Sequence, residues 1–426
     1  MRVVFCKIYR SYLAVEGNNN MEGYLNNKTF VFSDAKVTIL HKKVLLNLRT
    51  SFGTSHSSTT IRSNSFIQVI VEDKLGLYGI GEIGLPPKKP YCYLADNEDI
   101  KDWLNGYFDH LSGLLDYKEK VQTDFSLDEI PQYIHTMIHA IDTCPLNSKE
   151  YSKAARNGLE GALLDLAAKI RKLPLNEFIG LKATKPHSAF YTVGITGDEE
   201  LMQSLEFGLQ YTHYIKIKLN KDIKYAEHVL DVIDRECKKI DGYRAKWSVD
   251  LNSDFNEPDL CLKLINEVLV KYADKIYMVE QPFPVKVDNW SIWKSVKEAC
   301  ESKGMLLFAD ESVSTVESIE PIKNIVSGIN IKLEKCGGHR AALKCIQKAN
   351  ELGLKVWIGA MVGSSLLTNM GIALTPASVY SDLDGELLVT KESQPCTKGF
   401  TWDVKKGIIR LSEDIGVGVS LINEKL

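Results

Sequence analysis

The sequence has no long apolar run, although 44% of its 426 residues are hydrophobic. No run reaches the roughly 18 residues that a membrane-spanning helix needs. The first ten residues interrupt their apolar side chains with Arg2, Lys7 and Arg10, which is too early for a secretion signal. We therefore expect a cytoplasmic protein with no membrane partner.

Paired cysteines and excess charge of one sign are also lacking. The nine cysteines are scattered, odd in number and without a Cys-x-x-Cys pair, so free thiols in a reducing compartment explain them better than disulfides. The net charge of −3 gives no electrostatic reason to expect nucleic acid as a partner. What remains is an ordinary globular composition, in a chain long enough for two domains or a barrel with an appendage.

A regular alternation of strands and helices begins near residue 186. Eight strands are predicted, at Phe190–Ile195, Tyr214–Leu219, Lys246–Leu251, Ile276–Glu280, Met305–Ala309, Ile329–Leu333, Lys355–Gly359 and Ser378–Ser381. An open doubly wound sheet could use the same elements, but it would more often carry a glycine-rich phosphate turn, which is absent. Eight strand–helix units predict an α/β fold, a (β/α)₈-type barrel over residues 186–397.

The region before the barrel has strands first and helices afterwards. Strands are predicted at Val37–Leu40, Phe66–Glu72 and Gly76–Glu82, and helices at Glu98–Leu115, Leu127–Asp142 and Tyr151–Lys172. This order predicts an α+β capping domain over residues 36–185. Asparagine-rich residues 1–35 predict a partly disordered extension. Residues 398–426, with a strand at Gly407–Leu411, are expected to return to the capping domain.

Three acidic residues end three successive barrel strands. Asp250, Glu280 and Asp310 are each 30 residues from the next along the chain. Residues at the ends of different barrel strands converge at one face of the barrel. Three carboxylates there repel one another unless a cation lies between them, and an all-oxygen set suits Mg²⁺ better than zinc. The alternative is that each acid caps a helix or is solvated in a loop. The shared register favours a magnesium site.

Lysines flank these acids in the sequence. Lys216 and Lys218 are two apart on the second strand, so both face the barrel interior, and their mutual repulsion is expected to lower the pKa of one. Lys332 ends the sixth strand, on the opposite side of an eight-stranded barrel. A lysine on each face of a substrate can remove a proton from one side and return it to the other. A single lysine would more often be a structural ion-pair partner.

This arrangement resembles the enolase superfamily, in its muconate-lactonizing-enzyme branch. The branch with a His–Asp base pair fits less well, since no histidine ends the sixth or seventh strand. The resemblance implies that Asp250, Glu280 and Asp310 bind Mg²⁺ and that Lys218 and Lys332 are the acid–base pair. It implies that Lys216 tunes Lys218 and contacts a substrate carboxylate, while the capping domain supplies loops that cover the substrate.

The eighth strand carries Asp382-Leu-Asp384-Gly385, which resembles the Asp-x-Asp motif of dipeptide epimerases. Two acids offer a site for the α-ammonium group of a dipeptide, although they could also form a polar turn. One departure is Gly363, where many relatives carry a glutamate, and it predicts a larger or less charged pocket. No arginine lies between Phe52 and Arg62, so the sequence gives no support for a glutamate-containing dipeptide.

The sequence thus predicts a Mg²⁺-dependent isomerase, a dipeptide epimerase. It would invert the α-carbon of the C-terminal residue by two-base proton transfer through an enediolate. The alternatives within the branch are an o-succinylbenzoate synthase, a cycloisomerase or an N-acylamino acid racemase, whose substrates carry no ammonium group. A non-catalytic barrel that serves as a binding protein would leave the acids and lysines without purpose. The preferred side chains and homo-oligomerisation are left open.

Overall fold

The computed structural model describes residues 24–33, 35–53, 58–72, 77–89, 92–117, 130–182, 186–244, 246–285, 290–403, 406–411 and 413–422. Residues 1–23 of the predicted extension, residues 127–129 of the predicted second helix and most of the loop after Phe52 lie outside these ranges. Within the described residues, no helix has the length and apolarity to cross a membrane.

The N-terminal part is an antiparallel sheet in which neighbours along the chain pair in order. Its strands are β1 (Tyr24–Val31), β2 (Lys36–Gly53), β3 (Ser58–Val71) and β4 (Tyr78–Ile83). Strand β2 contains the first predicted strand, and β3 and β4 overlap the other two, although Glu72 and Leu77 lie outside them and Gly76 lies outside the described residues. Strand β1 lies where the sequence predicts a partly disordered extension, and it forms the edge of the sheet.

Helices cover one side of this sheet and complete the capping domain. They are α1 (Asn97–Tyr117), α2 (Gln132–Thr143), α3 (Ser152–Arg171) and the short α4 (Leu175–Phe178). Helix α3 packs so closely on β4 that Gly79 and Gly81 lie against its backbone, where a Cβ would come within 2.2 Å of the Ala162 or Gly158 carbonyl oxygen. Larger residues at these two positions would push the helix off the sheet.

The following region is the predicted barrel, an eight-stranded parallel sheet with its strands in sequence order. The strands are β6 (Tyr191–Val193), β7 (Tyr214–Lys218), β8 (Lys246–Asp250), β9 (Ile276–Glu280), β10 (Leu306–Ala309), β11 (Gly328–Ile331), β12 (Lys355–Gly359) and β13 (Tyr380–Asp382). A bridge between Ala189 and Ser381 joins its first and last strands. The predicted fold class is confirmed.

Helices connect the barrel strands and bury their outer faces. They are α5 (Asp198–Leu209), α6 (Ile223–Cys237), α7 (Pro258–Lys263), α8 (Trp290–Glu301), α9 (Leu333–Cys336), α10 (His339–Glu351), α11 (Ser365–Ile372) and α12 (Gly385–Leu388). Further turns are the π-helix Leu264–Val268 and the 3₁₀ helices Pro145–Ser148, Leu269–Tyr272, Val316–Ser318, Glu320–Ile322, Thr375–Ala377 and Lys391–Ser393. Ile215, Ile217 and Leu219 face this helical layer in the main core.

The C-terminal strand forms as predicted but pairs differently. Strand β15 (Ile408–Leu411) is antiparallel to β14 (Phe400–Asp403) and to β5 (His187–Ser188), just before the barrel, instead of joining the capping sheet. The chain returns to the capping domain a few residues later. There the Gly416 backbone forms hydrogen bonds with the backbone beside α4, and the Val417 N–H donates a hydrogen bond to Asp165 of α3 at 2.8 Å.

Candidate active site

The three predicted lysines converge inside the barrel. Lys216 and Lys218 lie on β7, and Lys332 follows β11, four strands further round the sheet. The alternation of the strand turns both β7 lysines inward, and all three lysines are buried. The two predicted bases therefore lie on opposite sides of the barrel, as the sequence indicates.

The three acids lie beside these lysines at the strand ends. Asp250 and Glu280 are direct partners on β8 and β9, and Asp310 follows β10. Lys218 Nζ is 2.8 Å from Asp250 Oδ2, Lys332 Nζ is 2.7 Å from Asp310 Oδ2, and Lys216 Nζ is 2.6 Å from Glu280 Oε2. Each acid thus has an ammonium group against it, and in the described ranges no three His, Cys, Asp or Glu side chains are grouped closely enough to hold a metal ion.

The donor set nevertheless fits magnesium in its chemistry. Asp250, Glu280 and Asp310 offer only carboxylate oxygens, from three adjacent strands, which is what Mg²⁺ prefers. Burial and the neighbouring charges of Asp250 and Asp310 together raise the pKa of Glu280 to about 8, against the effect of Lys216. A divalent cation among the three would offset this repulsion.

Acids dominate the electrostatics of Lys216. Burial lowers its pKa, but Asp382, Glu280 and Asp250 outweigh burial and raise the pKa well above the ordinary value. The sequence predicts a lowered pKa for one of the two β7 lysines, and Lys216 is therefore not that one. The same balance of burial against acids, led by Asp310, raises the pKa of Lys332.

The two acids of the eighth strand have different partners. Asp382 accepts hydrogen bonds from Lys216 Nζ at 2.7 Å and from Trp357 Nε1 at 2.6 Å. Asp384 accepts one from the Thr192 backbone N–H and, in the described part of the chain, has no cationic side chain within 4.0 Å. Burial and the charge of Asp382 raise the pKa of Asp384 to about 6. Of these two acids, Asp384 is the one without a counterion among the described residues.

A cavity of about 440 Å³ joins five of the predicted residues. Its lining includes Lys216, Lys218, Lys332, Asp382 and Asp384. The three acids lie behind the lysines. The capping domain closes one side of the cavity with residues of β2, β3 and the segment after β4, namely Phe52, Arg62, Pro86, Pro87, Lys88, Lys89, Cys92 and Tyr93. The volume suits a ligand of dipeptide size.

Gly363 does not line this cavity, so the larger pocket that the sequence suggested as one alternative is not formed there. A Cβ on Gly363 would lie 2.4 Å from Leu367 Cδ2 and 2.8 Å from Oε1 of Glu82 on β4. Glu82 is fully buried and accepts hydrogen bonds from the Ser364 and Leu367 backbone N–H groups at the start of α11, both at 3.1 Å, and from Asn64 at 2.8 Å. Gly363 thus makes room for a carboxylate from the capping domain.

Several side chains that support the site were missed in the sequence. Asn330 donates to Glu280 Oε1 at 2.6 Å, and Asn252 donates to Asp250 Oδ1 at 2.9 Å. Both are two residues from a predicted site residue, so strand alternation could have found Asn330 beside Lys332. Lys335 donates to Asp310, and Tyr93 Oη lies 3.4 Å from Asp310 Oδ2. No local pattern in the sequence indicates the last two.

Backbone strain is concentrated next to the acids. The described residues contain four non-glycine residues with positive φ, and three of them lie within three residues after the ends of β8 and β9: Asn252 at 46°, Ser253 at 59° and Gln281 at 38°. Such conformations cost free energy and persist where the surrounding structure holds them, most often at functional sites. In this position, Gln281 Oε1 accepts a hydrogen bond from the Asp310 backbone N–H at 2.9 Å.

Comparison with known proteins gives a consistent likeness. A family model described as enolase C-terminal domain-like matches residues 205–425. An enolase superfamily member of Dictyostelium discoideum is 35% identical, covering 92% of this chain and 98% of its own. An L-Ala-D/L-Glu epimerase of Bacteroides thetaiotaomicron is 27% identical, covering 88% of this chain and 86% of its own. The solved structure of a dipeptide epimerase from Cytophaga hutchinsonii, complexed with Mg and D-Ala-L-Val, aligns with a TM-score of 0.73 at 20% identity, covering 91% of this chain and 96% of that one.

Proposed function

The chain belongs to the enolase superfamily, and we propose that it is an isomerase, a magnesium-dependent dipeptide epimerase. The observation that carries the proposal is the placement of Lys218 and Lys332 on opposite sides of one cavity that also contains Asp384. The similar proteins with assigned reactions include epimerases and racemases of amino acid derivatives, which supports the same class of reaction here.

The two lysines would exchange the α-proton of the C-terminal residue. One ammonium group must lose its proton to act as base, while the other stays protonated and delivers a proton to the opposite face of the α-carbon. Because each lies against its own acid, Asp250 for Lys218 and Asp310 for Lys332, both are fixed in place before the substrate binds. The buried position excludes bulk water from the planar intermediate, an enediolate.

Asp250, Glu280 and Asp310 would hold the magnesium ion. When bound there, the ion supplies positive charge that stabilises the negative charge developing on the substrate carboxylate. Lys216 adds a second positive charge, fixed by Glu280 and Asp382. Removal of the α-proton is thereby favoured only for a carbon that is next to a carboxylate.

Asp384 supports a substrate with a free ammonium group. It is a buried carboxylate in the cavity without a cation of its own among the described residues, and an α-ammonium group would supply that charge. The products of o-succinylbenzoate synthases and cycloisomerases, and the N-acylated substrates of racemases, offer no such cation. A protein that only binds a ligand would have no need for two opposed lysines.

A dipeptide library in D₂O tests the proposal. Incubation with Mg²⁺ should give α-deuterium in at least one L,L-dipeptide together with its L,D-epimer, read by mass gain and chiral chromatography. The Lys218→Ala/Lys332→Ala double variant is the matched control and should give neither product. Absence of α-deuterium from every L,L- and L,D-dipeptide would contradict the epimerase.

A further inference from the structure

A second cavity lies where the capping domain meets the barrel. It has a volume of about 340 Å³ and is lined by the segment after β4 and the start of α3 on the capping side, and by residues such as Glu334 on the barrel side. The two predicted bases, the three predicted metal ligands and Asp384 are not among the residues that line it. Four residues line both this cavity and the active-site cavity: Pro86, Cys92, Tyr93 and Met361. The second cavity is therefore a neighbour of the active site and not a part of it.

Glu334 brings a buried negative charge to the second cavity. It lies on α9, and only 6% of the residue is exposed. Lys332 and Lys335, its neighbours in the sequence, both have their ammonium groups against Asp310. Within the described residues, the groups that donate to the Glu334 carboxylate are two backbone N–H groups, its own and that of Gly84 at 3.3 Å. This carboxylate has no counterion in the described part of the chain.

Other acids that are buried away from the active-site cavity have stronger partners. Glu160 and Asp165 each form an ion pair with a basic side chain, at 2.9 Å and 2.7 Å. Glu82 accepts hydrogen bonds from side chains as well as from backbone N–H groups. A buried carboxylate that lacks such partners is costly and calls for a further binding partner. For Glu334, a cationic group bound in the second cavity would be that partner.

The capping side of the second cavity carries a positive charge. Lys153 lies on α3, is half-buried and forms no ion pair with any described residue. Burial lowers its pKa, an effect that a bound anionic group would offset. The cavity thus combines a carboxylate from the barrel with an ammonium group from the capping domain, and the two do not form an ion pair with each other.

These two charges suit a small ligand that carries one charge of each sign. An ammonium group of the ligand can donate to Glu334, and a carboxylate of the ligand can accept from Lys153, which gives a charge-assisted hydrogen bond at each end. A phosphate group would be repelled by Glu334, and a divalent metal ion needs more oxygen ligands than one carboxylate. The volume is at the low end for small-molecule sites, which suits a compact ligand.

Beyond the proposed function, we propose that the second cavity binds a free amino acid, with its ammonium group on Glu334 and its carboxylate on Lys153. The binding site exists only where the two domains meet, because each domain supplies one of the two charges. It is separate from Asp384, which serves the ammonium group of the substrate in the active-site cavity.

Calorimetric titration with glycine and with L-alanine tests this site. Burial raises the pKa of Glu334 to about 7, so the titrations are made at pH 8, where its carboxylate is ionised. At least one of the two amino acids should bind to wild type. Glu334→Gln should weaken that binding roughly 10- to 100-fold, the range for a charge-assisted hydrogen bond, and Lys153→Met should weaken it as well. Glu98→Gln, on an exposed side chain of α1, should bind as wild type does.

Two controls identify the cavity and the group that is bound. Asp384→Asn changes the carboxylate of the active-site cavity and should keep the affinity for the amino acid. N-Acetylglycine has no ammonium group and should bind to wild type at least about 10-fold more weakly than glycine.

Three results would overturn the proposal. They are no binding of either amino acid to wild type, equal affinities of wild type and Glu334→Gln, and a loss of binding in Asp384→Asn, which would place the amino acid in the active-site cavity. If Glu334→Gln does not fold, Lys153→Met decides, and an affinity equal to that of wild type overturns the proposal. Because Mg²⁺ and dipeptides are left out of the titrations, the result does not depend on whether the protein is an epimerase.

Discussion

Barrel strands β7 and β11 and capping strands β3 and β4 bring different kinds of side chain to the site. The barrel lysines are each paired with a barrel acid, as Lys218 is with Asp250. Two capping side chains differ from them: Arg62 has no ion pair among the described residues, and Glu82 accepts hydrogen bonds from the start of α11 as well as from Asn64. The barrel thus contains a self-sufficient charge network, whereas the capping domain depends on the barrel or on a ligand.

This difference separates two tasks. Groups that move a proton must be held rigidly, and a network of buried ion pairs does this. Groups that select a substrate must have an unmet interaction that the right ligand satisfies. We therefore expect changes in the barrel network to affect every substrate, and changes at capping residues to affect selection or stability.

The largest expected effect tests the barrel side. Lys332→Ala should lower epimerisation about 10²- to 10⁴-fold, the usual contribution of a positioned acid–base group. Exchange of the α-proton should persist from one epimer only, because Lys218 still reaches one face. Proton NMR of each epimer separately in D₂O measures both rates.

Lys246→Ala is the matched control for this variant. Lys246 begins β8 at the opposite end of the barrel, where its Nζ lies 2.9 Å from Tyr380 Oη, outside the cavity. This variant should epimerise at a rate close to that of wild type. If Lys332→Ala also epimerises normally, the two-base scheme is wrong, and the barrel network is not the source of the chemistry.

The barrel could be predicted from the sequence because its order is local. Each strand is a short, largely apolar run, and two of them, Ile276–Glu280 and Lys355–Gly359, match the prediction residue for residue. Strand alternation then places Lys216 and Lys218 on one face. The ion pairs could not be predicted in the same way, since they depend on side-chain distances across the barrel. These ion pairs raise the pKa of Lys216 well above its ordinary value.

The capping domain could be predicted as strands and helices, but not in its contacts. Arg62 lies in an alternating strand, where a charged residue ordinarily faces water, and only the barrel above it makes this face a cavity wall. The hydrogen bonds of Glu82 to Ser364 and Leu367 join residues more than 280 positions apart. The edge strand β1 contains Asn26 and Asn27, which resemble a turn when read locally.

Asp384 tests the contrast between the barrel and the capping domain. It is a barrel residue, but its carboxylate has no counterion among the described residues. Asp384→Asn should lower kcat/KM for dipeptides roughly 10- to 100-fold by removing the charge that binds the ammonium group. Since the raised pKa of Asp384 is about 6, the carboxylate is ionised above that pH. Wild-type kcat/KM should therefore fall as the pH drops through about 6, and the variant should lack this part of the profile.

An N-acetylated dipeptide and a second variant control this measurement. The N-acetyl compound has no ammonium group, so Asp384→Asn should not lower its slower reaction further. Asp403→Asn changes an aspartate of β14 outside the cavity and should leave the profile as in wild type. Equal losses of kcat/KM for the free and the acetylated dipeptide would mean that Asp384 supports the fold and does not bind the ammonium group. Barrel residues would then take no part in substrate selection.

The smallest expected effect concerns the junction of the two domains. Glu82→Gln should lower the free energy of unfolding by about 1–3 kcal/mol near pH 5, because an amide cannot accept from all the donors around Glu82. Burial raises the pKa of Glu82 above its ordinary 4.5 against the effect of these hydrogen bonds, so folding favours its protonated form. The stabilisation that Glu82 gives the folded state is then complete below pH 4.5 and decreases as the pH rises through the folded-state pKa.

Urea denaturation from pH 5 to pH 8 measures this dependence. The difference in the free energy of unfolding between wild type and Glu82→Gln should shrink over this range. Glu98→Gln, which changes an exposed side chain of α1, should show no difference from wild type. A gap that widens with pH would mean that the ionised carboxylate stabilises the junction, and that the capping domain is held to the barrel by charge.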